Sequence, residues 1–245
     1  MIFYIFSFLY TFFFAINYSI KNISKHTFML LLLLIFPAFL IAILRGNVGT
    51  DTHNYLFYFE SIYSNDADYI KYEPGFQLIS SLIMKLGFSP RFGMSLLSVL
   101  TTAFLCWSFS KSKQRIVFFC FVVFPLFYFD MTMNGLRYGL SFAIALNAID
   151  ALYEKRKKTF IVLALLAISV QYSAILLILV FLLEKIKGVK MFVLAAFILA
   201  VLPIITSLLG ENIAYLLDKK DAYTDVYAPS ITSGLFPILI FLLLF

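Results

Sequence analysis

The chain has 245 residues, of which 62% are hydrophobic and only 13% are charged. Soluble domains carry roughly 25% charged residues, so this composition excludes an ordinary soluble protein and indicates a helical membrane protein. The net charge of +6 comes mostly from short basic clusters between apolar segments. That distribution is typical of cytoplasmic loops and argues against nucleic-acid binding.

The apolar segments predict an all-α, polytopic transmembrane bundle that forms a single domain over residues 1–245. Each segment is close to the length that crosses a bilayer. The expected crossings are about 2–18, 28–44, 92–109, 116–130, 136–152 and 191–209. Because the chain ends within the apolar run "GLFPILIFLLLF", we expect the C-terminal part to be truncated.

The charges predict the orientation of the bundle. Basic clusters at 111–115, 154–158 and 184–190 are assigned to the cytoplasm by the positive-inside rule. The acidic segment 45–74 then faces outward. Two outer loops follow from this topology, at about 45–91 and 210–232.

Two segments fit this topology only if they do not cross the membrane. The stretch 75–87, which contains Lys85, is predicted to be an amphipathic helix on the outer membrane surface. The run 160–183 lies between basic clusters and is interrupted by "SVQYS" at 169–173. We predict a broken helix there, of the kind that lines a cavity. One ordinary span that violates the charge rule is the alternative.

Two arginines are expected on the outer face, Arg45 after the second span and Arg137 at the start of a later one. Ionisable groups at the membrane often mark a substrate path. The planar guanidinium group makes bidentate hydrogen bonds to phosphate and keeps its charge. Arg45 and Arg137 are therefore predicted to bind the two phosphates of a lipid carrier. The alternatives are an Arg45 that snorkels at a helix end and an Arg137 with a structural role.

Two carboxylates accompany the arginines. Asp51 follows "GNVGT", whose glycines permit a tight turn, and Glu73 precedes Pro74, which favours extended geometry. Either could accept a proton from an attacking hydroxyl group, and Asp51 is the first choice. The alternatives are a plain turn residue for Asp51 and a helix N-terminal charge for Glu73. We expect no metal site and no cofactor, with a metal ion at the acidic outer loops as the alternative.

Four stretches, "RGNVGTDTHNY", "YEPGFQLISSLIMKLG", "NGLRYGLSFAIALNA" and "SVQYSAILL", together resemble the EpsG/Wzy type of polysaccharide polymerase over about residues 40–180. The resemblance implies a GT-C-like glycosyltransferase of the bacterial inner membrane. Such an enzyme joins undecaprenyl-pyrophosphate-linked repeat units on the outer face, for O-antigen, capsule or exopolysaccharide. Its partners would be these lipid-linked oligosaccharides, the bilayer and a chain-length regulator.

Three further residues are expected to bind the substrate: Tyr55, Gln171 and Tyr223. Aromatic rings such as that of Tyr55 could stack on sugars, although an interfacial belt is the alternative. Family members often carry histidine at the position of Gln171. Glutamine can hydrogen-bond a substrate but cannot accept a proton near neutral pH. An acid–base role is therefore not assigned to this position.

Two other functions are compatible with buried charges and a broken helix. A flippase or transporter of a lipid-linked sugar would fit, but transporters usually show two related halves, and no matched pair of interrupted segments is found. A membrane acyltransferase would need a histidine base, and only His26 and His53 are present. The polymerase is preferred.

Overall fold

The computed structural model describes residues 2–20, 27–64 and 72–184, in which all regular structure is helical. Those up to Leu182 belong to one compact unit, Met1–Leu182. The α-helices are α1 (Ile2–Ile20), α2 (Phe28–Leu34), α3 (Phe36–Ile43), α4 (Thr52–Ser64), α5 (Pro74–Lys85), α6 (Pro90–Phe109), α7 (Lys113–Phe118), α8 (Leu136–Tyr153), α9 (Lys157–Val170) and α10 (Leu176–Glu184). The all-α prediction is confirmed for these residues.

Two helices in this part of the chain, α1 and α6, are long and apolar enough to cross a bilayer. Two of the other predicted crossings, at 28–44 and 116–130, are made of shorter pieces, whereas α8 covers 136–152 as one helix of 18 residues. The expected span at 28–44 is interrupted at Ile35 (φ −106°, ψ 10°), and Pro37 lies in the first turn of α3. A proline there has no N–H to donate to the preceding turn, so the chain restarts as a new helix. The segment 28–44 is therefore helical apart from this interruption, and its crossing of the membrane stays a prediction.

The expected span at 116–130 is also irregular. After α7 the chain forms wider π-helical turns over Phe119–Tyr128, with Pro125 inside, and again over Asp130–Asn134. π-Helical turns often occur at functional sites, and their i→i+5 bonds shift which residues face a neighbour. Gly135 then joins this segment to α8.

The predicted break near 169–173 is present. Helix α9 ends at Val170, Gln171 is extended (φ −153°, ψ 127°), and a short 3₁₀ turn over Tyr172–Ile175 leads into α10. The polar interruption therefore does end one helix and start another. Its predicted passage to the outer face and back stays a prediction.

Helix α5 lies where the amphipathic helix is predicted. Phe76, Ser80, Ile83 and Met84 are buried on one side, whereas Leu78 and Leu82 are exposed on the other. An exposed apolar stripe fits a helix that lies against lipid. Its position on the outer membrane surface remains a prediction, as do the polytopic topology and the GT-C-like layout.

Helix α8 packs against both α6 and α9. Alanines form much of the contact, including buried Ala143, Ala148 and Ala167, and the Ser141 hydroxyl donates to the Ala167 carbonyl (2.9 Å). Small residues and short polar contacts of this kind hold membrane helices together, because apolar burial contributes little between helices in lipid.

A charged cluster ties the far ends of α6 and α8 together. The buried Asp150 carboxylate accepts from Ser108 (2.8 Å) and Arg115 (2.6 Å) and pairs with Lys111 (3.0 Å). Lys111 also pairs with Glu154. Two of the basic clusters predicted to be cytoplasmic thus meet at one end of the helices, about 20 Å along α8 from Arg137.

The close approach of α8 to the preceding π-helical turn predicts a severe effect of Gly139→Ala. A Cβ at Gly139 would lie 2.1 Å from the Met131 carbonyl oxygen, and this backbone cannot move aside locally. We expect a loss of about 1–3 kcal/mol or more in unfolding free energy, measured by thermal unfolding in detergent. Gly46→Ala is the control, because nothing lies within 4 Å of its added Cβ. Equal stability of the two variants would contradict the packing.

Candidate functional site

A buried ion pair joins the start of α5 to the start of α8. Arg137 Nη1 donates to Glu73 Oε2 at 2.5 Å, and the side chains are only 17% and 5% exposed. Glu73 is extended (φ −62°, ψ 148°), as predicted from Pro74, but its carboxylate makes no cap on α5. The carboxylate forms its ion pair with Arg137 instead. Breaking such a pair leaves a buried charge unpaired, which is costly.

Aromatic rings enclose the guanidinium group of Arg137. Its Cζ atom lies 4.0 Å from the ring centroid of Tyr72 and 6.0 Å from that of Phe76. Tyr55 and Tyr58 pack against these two rings. A cation above an aromatic face is stabilised electrostatically, more so when water is excluded. The rings of Tyr55, Tyr58, Tyr72 and Phe76 therefore form an aromatic wall beside Arg137.

Arg45 crosses to the π-helical segment and binds the end of it. Its Nη1 donates to the carbonyl oxygens of Thr132 (3.2 Å) and Met133. The last carbonyls of a helix have no partner within the helix and carry partial negative charge. One nitrogen of Arg45 therefore has a structural role, because it binds the end of the π-helical segment. The alternative of a snorkelling Arg45 did not include this contact.

Both arginines keep buried donors that find no acceptor in the described part of the chain. These atoms are Nε and Nη2 of Arg45 and Nε of Arg137. Buried polar groups nearly always have a partner, so each such atom needs an explanation. Burial also lowers the pKa of Arg45 to about 10, opposed by Tyr55 and Tyr4. The guanidinium group still carries its charge at neutral pH.

Asp51 is held at the start of α4 by a tight turn. Gly49 has φ +111°, a conformation that favours glycine, and Thr52 donates to the Val48 carbonyl (2.6 Å). Asn134 fastens the turn to the π-helical segment, because its Oδ1 accepts from the Thr50 N–H (3.1 Å). The expected glycine turn is therefore present and is anchored beside Arg45's binding partners.

The carboxyl group of Asp51 lies among charges of both signs. Burial, followed by the negative charge of Asp130, raises the pKa of Asp51, whereas Arg137 lowers it. Asp130 in turn accepts from Asn134 Nδ2 (3.2 Å) and interacts with Tyr138. The charges of Asp130 and Arg137 therefore both act on the Asp51 carboxyl group.

Tyr55 connects the two arginines. Its side chain is 4% exposed and interacts electrostatically with both Arg45 and Arg137. Burial raises the pKa of Tyr55, so the hydroxyl group stays protonated and can donate a hydrogen bond. Arg45, Tyr55 and Arg137 therefore belong to one site.

Gln171 lies near the site without a described contact to it. Its extended backbone follows Ser169, which touches Gly75 so closely that a Cβ at Gly75 would lie 2.3 Å from Ser169 Oγ. The helix break and the start of α5 are therefore neighbours. Tyr223, the third predicted substrate-binding residue, is outside the described residues, as are the 210–232 loop and the expected crossing at 191–209.

Asp130 and Asn134 were missed by sequence reasoning. They lie in "DMTMN", just before α8, and π-helical turns place them beside the Asp51 turn. Arg91 is a further cation linked to this loop, because it donates to Asn47 Oδ1 (2.7 Å). Within the described ranges there is no group of three metal-ligating side chains.

The arrangement can bind an anion and move a proton. Three guanidinium nitrogens of Arg45 and Arg137 have no acceptor in the described part of the chain, and phosphate oxygens are well suited to accept their hydrogen bonds. The Asp51 carboxyl group, on which the charge of Arg137 acts, can take a proton from a hydroxyl group.

A double-mutant cycle tests the ion pair. Arg137→Met alone should cost about 3–5 kcal/mol of unfolding free energy, because Glu73 is left buried and unpaired. Adding Glu73→Gln should recover part of that loss. Thermal unfolding in detergent measures both, with Arg156→Met as control, since Arg156 is half exposed and pairs with the exposed Glu154. Strictly additive losses would contradict a direct interaction.

Comparison with known proteins gives one match. A family profile described as the EpsG family matches residues 28–245, which includes every site residue placed above. No curated protein and no solved structure matches the chain. On the extent of the profile match, the chain belongs to the EpsG family.

Proposed function

We propose that the protein is a glycosyltransferase that polymerises oligosaccharide repeat units carried on undecaprenyl pyrophosphate. The reaction takes place on the outer face of the bacterial inner membrane. Membership of the EpsG family suggests a membrane protein of polysaccharide biosynthesis, and two candidate membrane spans agree with that.

The observation that carries the proposal is the pair of arginines with buried, unpartnered donors around Tyr55. A pyrophosphate group supplies several acceptor oxygens and negative charge together, so it satisfies donors from two side chains at once. In the transition state negative charge develops on the departing pyrophosphate. Cations fixed beforehand stabilise that charge without having to reorganise.

Arg45 and Arg137 are proposed to contribute unequally to pyrophosphate binding. The hydrogen bonds of Arg45 go to backbone carbonyls, and no described carboxylate pairs with it, so its positive charge is available to the pyrophosphate. The charge of Arg137 is partly balanced by Glu73. Arg45 is therefore the principal pyrophosphate ligand, and Arg137 contributes its free Nε.

Asp51 is the proposed base. The acceptor hydroxyl attacks the anomeric carbon of the donor sugar, and its proton passes to the Asp51 carboxylate. A new glycosidic C–O bond forms as the C–O bond to pyrophosphate breaks, and the electron pair leaves with the pyrophosphate. This single displacement inverts the anomeric carbon. Glu73, the other predicted base, is assigned to hold Arg137 in place, because the arginine already occupies its carboxylate.

The sugar-binding assignments rest on position. Tyr55 interacts with both arginines, and Gln171 lies at the helix break beside the start of α5. The proposed substrate-binding role of Tyr223 rests on the sequence alone. The proposed partners remain the lipid-linked oligosaccharides, the bilayer and a chain-length regulator. No metal or cofactor takes part in the proposed scheme.

Transport of a lipid-linked sugar is the second candidate. A helix broken at Gln171 is the feature that favours it, because discontinuous helices often line transport paths. The combination of Asp51 with the unpartnered donors of Arg45 and Arg137 favours the polymerase, since glycosyl transfer requires a proton acceptor and a pyrophosphate site together.

Complementation tests the proposal. In a strain that lacks its own copy, the full-length gene should give a ladder of surface glycan on a gel. Arg45→Gln and Asp51→Asn should reduce the product to single repeat units, because phosphate binding and proton transfer are lost. Arg156→Gln, at the other end of α8, is the matched control. Repeat units that stay on the cytoplasmic side would instead support transport.

The pH dependence of polymerisation tests the base. As pH falls, the rate should drop when Asp51 becomes protonated, and this acid limb should lie above the usual pKa of aspartate because the Asp51 pKa is raised. Asp130→Asn removes a negative neighbour and should move the limb to lower pH. Initial rates with purified protein give the measurement. An acid limb that stays in place or moves upward would contradict Asp51 as the base.

A further inference from the structure

An apolar groove lies along α8, on the side that faces the chain after the helix break. It has a volume of about 280 Å³ and is lined by Tyr138, Phe142, Ala145 and Ile149 on α8. These residues share one face of the helix, since they recur at spacings of three or four. The opposite wall is the 3₁₀ turn and α10, including Ala174 and Leu177.

The helix break creates this groove. Because the chain leaves α9 at Gln171 in extended geometry and restarts as α10, α10 does not continue the close packing of α9 on α8. The groove opens to the side of the protein, where Phe142, Ile149 and Leu176 are about 40–50% exposed. A hydrocarbon chain can therefore enter from the surrounding lipid.

The outer end of the groove meets the charged site. Tyr138 follows Arg137 directly in α8, and its side chain folds back over Gly135 towards Asp130. From Tyr138 to Ile149 the groove extends about 16 Å along the helix, about half the thickness of a bilayer's hydrocarbon core. The groove thus starts one residue after Arg137 and has a mainly apolar lining.

We propose that the groove between α8 and α10 holds the hydrocarbon tail of a lipid phosphate whose head group is bound at Arg45 and Arg137. This assignment rests on the proposed function for the head-group site. A lipid phosphate is the proposed occupant because the apolar groove adjoins the two arginines, whose positive charges attract an anionic head group. An ordinary phospholipid could place its chains here, but its head group would not need two buried cations with unpartnered donors.

Filling the groove tests the proposal. Ala145→Trp and Ala174→Trp each add an indole ring, from opposite walls. Leu165→Trp is the matched control, because Leu165 is 62% exposed on α9 and does not line the groove. The probe is a photoreactive analogue of undecaprenyl phosphate, used with the full-length protein in nanodiscs. Binding of inorganic pyrophosphate is measured in parallel.

We expect both groove variants to lose about tenfold or more in probe labelling, while pyrophosphate binding and the labelling of Leu165→Trp stay at the wild-type level. Labelled peptides should come from α8 or α10. Wild-type labelling in both groove variants would overturn the proposal. So would displacement of the probe by phosphatidylglycerol as effectively as by unlabelled undecaprenyl phosphate.

The outcome is separable from that of the proposed function. If wild-type protein labels in the groove but produces no glycan ladder, the lipid-tail site stands and the polymerase is wrong. If the glycan ladder requires Arg45 but is unaffected by both groove variants, the polymerase function is supported. The hydrocarbon tail of the lipid then lies outside this groove.

Discussion

The buried pair of Glu73 and Arg137 fixes the point where α5 meets α8, and the rest of the site depends on that point. Arg137 is held by one carboxylate and enclosed by the rings of Tyr72 and Phe76. Such a pair contributes little net stability but is costly to break. It therefore defines one position for the guanidinium group, against which Tyr55 and Asp51 are placed.

The second arginine is fixed by different chemistry. Arg45 satisfies the carbonyls at the end of the π-helical segment and keeps two buried donors without a partner in the described chain. The same segment carries Asp130 and Asn134, which surround the Asp51 turn. One irregular stretch thus aligns a cation and a carboxylate. Phosphate binding and proton transfer in the proposed reaction both depend on it.

Local signals in the sequence predict part of this arrangement. Pro74 predicts the extended Glu73, the glycines predict the Asp51 turn, and the polar run at 169–173 predicts the break at Gln171. The interruption at Ile35 and the place of Asp130 were not predicted. A helical period of 3.6 does not hold through π-helical turns, so the face on which Asp130 lies cannot be read from spacing. The carbonyl partners of Arg45 are tertiary contacts, which no local pattern encodes.

The most direct test of the account is reconstitution of the purified full-length protein with lipid-linked repeat units in proteoliposomes. The account predicts that one undecaprenyl pyrophosphate is released for each new glycosidic linkage, and that Arg45→Gln abolishes both products together while the protein stays folded. Transfer by the variant at the wild-type rate, or wild-type protein that moves repeat units across the bilayer without joining them, would contradict it.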